Sequence, residues 1–266
     1  MTTFIAPPRL DLPLDQRTYI VTGAGGGIGR AAVARLLGAG SRVVGVDLSS
    51  RRLAETETET RELPGTLRTI KVDVTSESDV ATAVDYAISE FGAVHGVANV
   101  AGGMVNIDRD VYDVSLESFT LDTWNQMFAL NVNSAFLMCR ALEKHFVAQG
   151  YGKIVNVASL AAFANRLELG NAAYNSAKAA VVALTQSLSM QMGRQGVRAN
   201  CIAPGLVLSD RVQQWIDEGY RDRHLAYTAL GDLATPADLG EGIAFLLEPQ
   251  SDAVTGETLR VAAGVR

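Results

Sequence analysis

Short runs of β-branched and aliphatic residues alternate along the chain with longer stretches in which apolar positions recur every three or four residues. These are the periods of strands and helices. Tyr19-Ile20-Val21 predicts a first strand that enters a glycine-rich turn, and Ala and Leu then recur at helical spacing from Ile28 to Leu37. Arg42 to Val46 predicts a second strand ending at Asp47, followed by a charged helix and a third strand at Thr69-Ile70-Lys71-Val72. From Ser76 to Phe91, Val80, Val84, Ala87, Ile88 and Phe91 fall on one side of a helix. Gly96-Val97-Ala98 is a fourth strand ending at Asn99, and a long helix from Asp122 to Ala148 leads to a strand from Lys153 to Val157. A helix from Ala172 to Met192, a strand from Arg198 to Ile202 and a last strand from Thr258 to Val261 continue the order. Thr235-Pro236 starts the intervening helix, with Thr as N-cap and Pro at the first helical position. Strands alternating with helices predict an α/β fold, a doubly wound parallel sheet of about seven strands with helices on both faces.

Three stretches lack either period, at about residues 102–120, 160–171 and 205–232. Loops at the carboxyl ends of parallel strands are where ligands bind, so these are the candidate substrate loops. Residues 1–16 read as a proline-bearing lead-in, and residues 17–266 as a single domain with no linker or internal repeat. The Glu/Thr alternation from Glu55 to Thr60 reads as a solvated helix face.

Composition narrows the function. A formal net charge of −6 leaves no global positive field for a polyphosphate backbone, so nucleic acid is not an expected partner. With 48% hydrophobic and 20% charged residues the chain can bury a large core. Cys139 and Cys201 are far apart in aliphatic surroundings and read as core. His95, His145 and His224 share no ligand spacing, and no metal site is expected. No run of eighteen apolar residues and no signal-peptide core is seen, so a soluble, cytoplasmic protein without membrane contact is expected.

Thr22-Gly23-Ala24-Gly25-Gly26-Gly27-Ile28-Gly29 lies between a strand and a helix, the context of a dinucleotide-binding turn. Glycines let the backbone approach a pyrophosphate, and the helix N-terminus offers N–H donors to the anion. Asp47, about twenty residues on, can accept hydrogen bonds from the hydroxyls of an adenosine ribose and repels a 2′-phosphate. No Lys or Arg stands at Gly26 or Leu48, and Arg51 and Arg52 are expected to face solvent from the next helix. NAD(H) is therefore expected over NADP(H).

The spacing Thr-Gly-x-x-x-Gly-x-Gly resembles that of the short-chain dehydrogenase/reductase family, and the resemblance runs from about Thr18 to Gly264. It implies a Rossmann domain and cofactor contacts at Gly23, Gly26, Gly27, Ile28, Gly29, Asp47 and Leu48. Asp73-Val74 resembles the family's adenine contact, and Asn99-Val100-Ala101-Gly102 its Asn-Asn-Ala-Gly segment, with Val100 departing from the second Asn. Asn131 falls where the family carries a helix Asn whose backbone helps hold a water near the catalytic Lys. Ser159, after the strand Ile154 to Val157, matches the catalytic Ser, and Tyr174-Asn175-Ser176-Ala177-Lys178 matches Tyr-x-x-x-Lys. Pro204-Gly205-Leu206-Val207 resembles the segment beside the nicotinamide, with Ser209 in place of the usual Thr. Ala262 and Ala263 depart from the usual Asp and Gly of the tail. Ser159 stands slightly farther from Tyr174 than is common, which implies a small insertion in the loop from Leu160 to Gly170.

Tyr174 and Lys178, four apart on a predicted helix, project from one face as a proton-transfer pair must. A free phenol titrates near 10, and bringing it to roughly 7 takes about 4 kcal/mol of differential stabilisation, which a nearby ammonium and an oxidised nicotinamide would supply. Ser159 would donate a hydrogen bond to the substrate oxygen. The resemblance implies an NAD-dependent alcohol dehydrogenase or ketoreductase, interconverting a secondary alcohol and a ketone by hydride transfer. A 3-oxoacyl thioester reductase and a cyclic cis-diol dehydrogenase of the same family are the alternative enzymes, and an NAD-sensing regulator the non-enzymatic one. Arg109 and Arg166 read as surface charges, and Trp215, Tyr220 and Tyr227 as an amphipathic lid over a moderately apolar ligand, a spacing that core packing or subunit contact would also give. Surplus apolar content in the helices, including Trp124, Met127, Phe128, Phe136, Leu137 and Met138, suggests subunit pairing, and the resemblance implies a homotetramer.

Overall fold

The computed structural model describes residues 10–105, 116–163, 171–213 and 218–265. Seven parallel strands form one sheet: β1 (Thr18–Thr22), β2 (Arg42–Asp47), β3 (Thr66–Lys71), β4 (Gly96–Asn99), β5 (Gly152–Val157), β6 (Val197–Pro204) and β7 (Thr258–Val261). Their spatial order is β3-β2-β1-β4-β5-β6-β7, so the winding reverses between β1 and β4. A crevice at the carboxyl ends of the strands opens at such a reversal. Central β1, β4, β5 and β6 are buried along their whole length, while edge strand β3 alternates exposed and half-buried positions. That edge position explains why the strand begins earlier than the apolar run at Thr69 predicts. Thr66, Leu67 and Arg68 pair with Arg42, Val43 and Val44 without needing a continuous apolar face.

Helices cover both faces. On one, α1 (Gly27–Gly38) and α9 (Pro236–Leu247) bury Leu36, Leu37, Ile243 and Leu247 against the sheet. They approach closely because position 240 is glycine; a Cβ there would lie 2.9 Å from the Ala31 carbonyl oxygen. On the other face, α3 (Glu77–Phe91) and α5 (Ser134–Gln149) contribute Val84, Ala87, Leu142 and Phe146. The N-caps follow local sequence: Ser76 accepts from the Asp79 amide, and Thr235 forms a reciprocal capping box with Asp238. The long helix expected from Asp122 to Ala148 is instead α4 (Leu121–Phe128) and α5 joined by a π turn, Ala129–Asn133. A π turn widens the helix by one residue, a distortion that apolar periodicity does not reveal.

The remaining helices are α2 (Ser50–Thr60), α6 (Ala172–Met192), and α7 (Asp210–Gln213) and α8 (Glu218–Leu225) in the third irregular stretch. Among the described residues no helix is long and apolar enough to cross a membrane.

Candidate active site

The glycine turn is set by contacts that exclude side chains. Gly23 has φ +66°, and a Cβ at Gly29 would lie 2.0 Å from the Gly23 carbonyl oxygen. Thr22 ties the turn to the end of β4, its Oγ1 accepting from the Val100 and Ala101 amides at 3.0 and 3.1 Å. Gly26 is the N-cap of α1 and supplies no capping side chain, so the amides of the first turn, Gly27 to Gly29, point outward. A positive helix end with unmet donors and no Cβ in the way fits a pyrophosphate.

Asp47 closes the far side of this cradle. It is 5% exposed; its Oδ2 accepts from the Gly25 amide at 3.1 Å and its Oδ1 from the Ser49 amide at 2.9 Å. Contrary to expectation, Arg52 does not simply face solvent: its Nη2 donates to Asp47 Oδ1 at 3.1 Å. The cause is local. Ser49 caps α2 by accepting from the Arg52 amide, which turns residue 52 back toward the end of β2, while Arg51 pairs with Glu55 on the exposed face.

The other predicted cofactor positions differ in kind. Asp73 accepts from the amide and hydroxyl of Thr75, Val74 is buried, and Leu48 is exposed. Asn99 donates to Asn156 Oδ1 at 2.8 Å, bracing β4 against β5. Gly27 faces Ser209, whose Cβ stands 2.9 Å from where a Cβ would lie at Gly27. The glycine turn and the segment after Pro204 thus meet as two walls.

Ser159 caps a short 3₁₀ turn, Leu160–Ala162, its Oγ accepting from the Ala161 amide at 3.1 Å. The hydroxyl hydrogen is not used in that bond and remains able to donate. Tyr174 lies in the first turn of α6, where Asn171 caps the helix by accepting from the Tyr174 amide at 2.9 Å. One turn on, Lys178 is 3% exposed, with Nζ 5.7 Å from the Tyr174 ring centroid and donating to the Val157 carbonyl at 2.8 Å. Burial pushes the Lys178 ammonium down to about 8.

Asn131, in the π turn, accepts from the Gly103 amide at 2.9 Å and donates to the Gly103 and Met127 carbonyls at 2.8 and 2.9 Å. Its side chain fastens the loop after β4 to the helix. A Cβ at Gly102 would stand 2.8 Å from Asn131 Oδ1 and 3.2 Å from Lys178 Nζ, so the two converge on one glycine.

A cavity of about 280 Å³ brings Ile28, Gly102, Ser159, Tyr174, Lys178, Pro204, Gly205 and Val207 together. Gly26 and Gly27 line a separate hollow with Arg30, Arg52 and Ser209. Gly23, Gly29, Asp47, Leu48, Asp73, Val74, Asn99 and Ala101 do not line the smaller cavity. Met104, Leu206, Val212 and His224 do, and sequence reasoning did not assign them. For His224 the only available signal was its spacing of four from Tyr220. Of the other expected loop residues Tyr220 lines the cavity and Tyr227 is exposed, while Arg109, Arg166 and Trp215 lie outside the described residues. Among the described residues no group of His, Cys, Asp or Glu is placed to hold a metal ion.

A family model described as Enoyl-(Acyl carrier protein) reductase matches residues 23–266. The chain is 33% identical over 245 residues to 2-(R)-hydroxypropyl-CoM dehydrogenase of Xanthobacter autotrophicus, covering 91% of this chain and 96% of that protein. A short-chain type dehydrogenase/reductase from Mycobacterium ulcerans superposes with a TM-score of 0.86 at 31% identity, over 93% of this chain and 89% of that one. The chain belongs to the short-chain dehydrogenase/reductase family. Another solved member, 7α-hydroxysteroid dehydrogenase complexed with NADH and 7-oxo glycochenodeoxycholic acid, superposes with a TM-score of 0.87 at 28% identity over 95% of both chains. This short-chain dehydrogenase/reductase is accordingly an oxidoreductase whose relatives act on hydroxy and oxo compounds, with a Rossmann-like sheet built for a nicotinamide coenzyme.

Proposed function

We propose that the chain is an NAD(H)-dependent oxidoreductase interconverting a secondary alcohol and a ketone, with Tyr174 as the acid/base. The convergence of Ser159, Tyr174 and Lys178 on one cavity that also borders the glycine turn carries this reading. When bound, the nicotinamide coenzyme supplies or accepts the hydride. Ser159 donates to the substrate oxygen, and Tyr174 takes the hydroxyl proton in oxidation or returns it in reduction. The Lys178 ammonium, held by the Val157 carbonyl, favours the phenolate by its charge. Asn131 fixes the Gly102–Gly103 backbone beside that ammonium and acts as a positioning residue.

Asp47 supports NAD(H) over NADP(H), because a 2′-phosphate would face a buried carboxylate. Arg52 offsets part of that repulsion. A cytoplasmic homotetramer is the proposed form: Leu121, Phe136 and Met190 on α4, α5 and α6 are exposed apolar side chains, the kind that subunit contact covers. Residues 17–266 act as one domain, and specificity comes from the loops at the sheet's carboxyl edge.

The direct test is NAD⁺ reduction by the purified protein across secondary alcohols, polyols and cyclic diols. Tyr174→Phe should lower turnover by about 10²–10⁴-fold, while NAD(H) binding persists; retained turnover removes Tyr174 from the role. In coenzyme kinetics, NAD⁺ should exceed NADP⁺ in kcat/KM by about tenfold or more. A ratio of one or less would overturn the Asp47 assignment.

A further inference from the structure

The three histidines differ in what their rings do. His95 Nδ1 accepts from the Thr18 amide at 2.9 Å, and His145 Nε2 accepts from the Val94 amide at 3.0 Å. Both serve the backbone at the amino-terminal edge of the sheet. His224 stands at the opposite edge, in α8, and lines the 280 Å³ cavity together with Ser159 and Tyr174.

Its ring is fixed by its own helix. His224 is 6% exposed, its centroid lies 4.2 Å from that of Tyr220, and its Nδ1 is 2.9 Å from the Tyr220 carbonyl oxygen. A carbonyl only accepts, so Nδ1 carries the hydrogen. With Nδ1 engaged as the donor, Nε2 is the nitrogen left to accept a hydrogen bond. That atom has no partner among the described residues, and it is not among the sealed, unpartnered polar atoms. His224 is thus a buried ring held by one nitrogen in the wall of a ligand cavity.

The rest of the lining sharpens what would meet it. Met104, Leu160, Leu206 and Val212 make most of the cavity apolar, and Ser159, Tyr174, Lys178, Ser209, Tyr220 and His224 are the polar side chains in its wall. We propose that His224 is a specificity-determining residue that accepts a hydrogen bond from a second hydroxyl of the substrate, so that the preferred substrates are diols or hydroxy-ketones with an apolar frame. His224 has this role only if the cavity is the alcohol site proposed above, and the experiment separates the two.

The probes are the 1,2-, 1,3- and 1,4-cyclohexanediols against cyclohexanol, compared by kcat/KM with NAD⁺. In the wild type at least one diol should exceed cyclohexanol by about tenfold or more, the scale of one hydrogen bond to a buried acceptor left unmet. His224→Phe keeps an aromatic ring beside Tyr220 and removes the acceptor; it should reduce that ratio to within about threefold, the diol losing far more than cyclohexanol. His224→Gln, which restores a polar atom near Nε2, should recover part of the ratio. A general packing role would lower diols and cyclohexanol alike and would not respond to Gln.

The assignment is overturned if the wild type shows no diol preference, if His224→Phe keeps it, or if both substrates fall together. Should His224→Phe not fold, His224→Leu replaces it with the same expectations. If the wild type oxidises no alcohol, the catalytic reading fails by itself. His224 is then tested by calorimetric titration of the same probes into the NADH-loaded wild type and variant. Tighter diol binding that the variant loses supports the role, and equal binding of diol and cyclohexanol overturns it.

Discussion

Strand β5 meets a buried lysine at each end, and the two are held in opposite ways. Lys153, in the strand's first residues, is fully buried and donates to Asp252 Oδ1 at 2.9 Å, Ser251 Oγ at 2.9 Å and the Glu248 carbonyl at 3.2 Å. Lys178 reaches the strand's last carbonyl, Val157, from α6. Burial pushes both ammonium groups down to about 8. At the amino edge the charge has a carboxylate and every donor is met. At the carboxyl edge no described carboxylate bonds to it, and one carbonyl leaves two donors for the cavity. Burial opposes the charge at both ends; what differs is whether a carboxylate of the protein answers it.

Exchanging each lysine for an apolar chain of similar length should therefore break different properties. Lys178→Met should lower kcat/KM by about 10²–10⁴-fold, with little loss of stability, because no buried anion is orphaned. Lys153→Met should leave the folded enzyme's kcat/KM within about threefold of wild type and cost about 3–5 kcal/mol in urea unfolding, since Asp252 stays buried without its cation. If Lys153→Met also removes activity at full occupancy of the folded state, the two edges are not independent.

The pH dependence sharpens the same contrast. A lysine near 8 in the folded chain and about 10.4 in the unfolded chain is protonated in both below 8, so it then contributes no slope. Between those values the unfolded chain binds more protons, and stability rises with pH. Cys139 and Cys201, pushed up to about 12 and 11 by burial, act in the opposite direction, so the difference between wild type and Lys178→Met isolates the lysine. Wild type should gain about 2 kcal/mol on that variant between about pH 7 and pH 9.5. A flat difference would mean that Lys178 is not desolvated.

The carboxyl edge was far more legible in the sequence than the amino edge. The glycine turn, Ser159, Tyr174 and Lys178 stand out because the chemistry proposed for them demands fixed residue types at short spacings along one strand-turn-helix unit or one helix face. Arg52 and His224 were not legible in the same way. What each does depends on a cap or an aromatic neighbour that turns the side chain, as Ser49 does for Arg52 and Tyr220 for His224. The π turn at Ala129–Asn133 leaves the apolar pattern of the long helix intact while shifting Asn131 onto Gly103. At the amino edge, Arg17, Tyr151, Lys153, Arg198 and Asp252 are scattered over more than two hundred residues and meet only once the sheet has formed.

Tyr151 is where that edge can be probed with the smallest change. Its ring centroid lies 5.4 Å from the Cζ of both Arg17 and Arg198, and its hydroxyl accepts from Arg17 Nη1 at 2.9 Å while donating to Asp252 Oδ1 at 3.2 Å. Burial pushes the phenol up to about 12, so it stays a neutral donor wherever the enzyme works. Tyr151→Phe keeps both arginine contacts with the ring and removes one hydrogen bond to each charged group. The expected loss in urea unfolding is about 1–2 kcal/mol, smaller than for Lys153→Met because Asp252 retains its ammonium. Turnover should be unchanged. A loss as large as that of Lys153→Met would mean that the hydroxyl, rather than the ion pair, holds the amino edge closed.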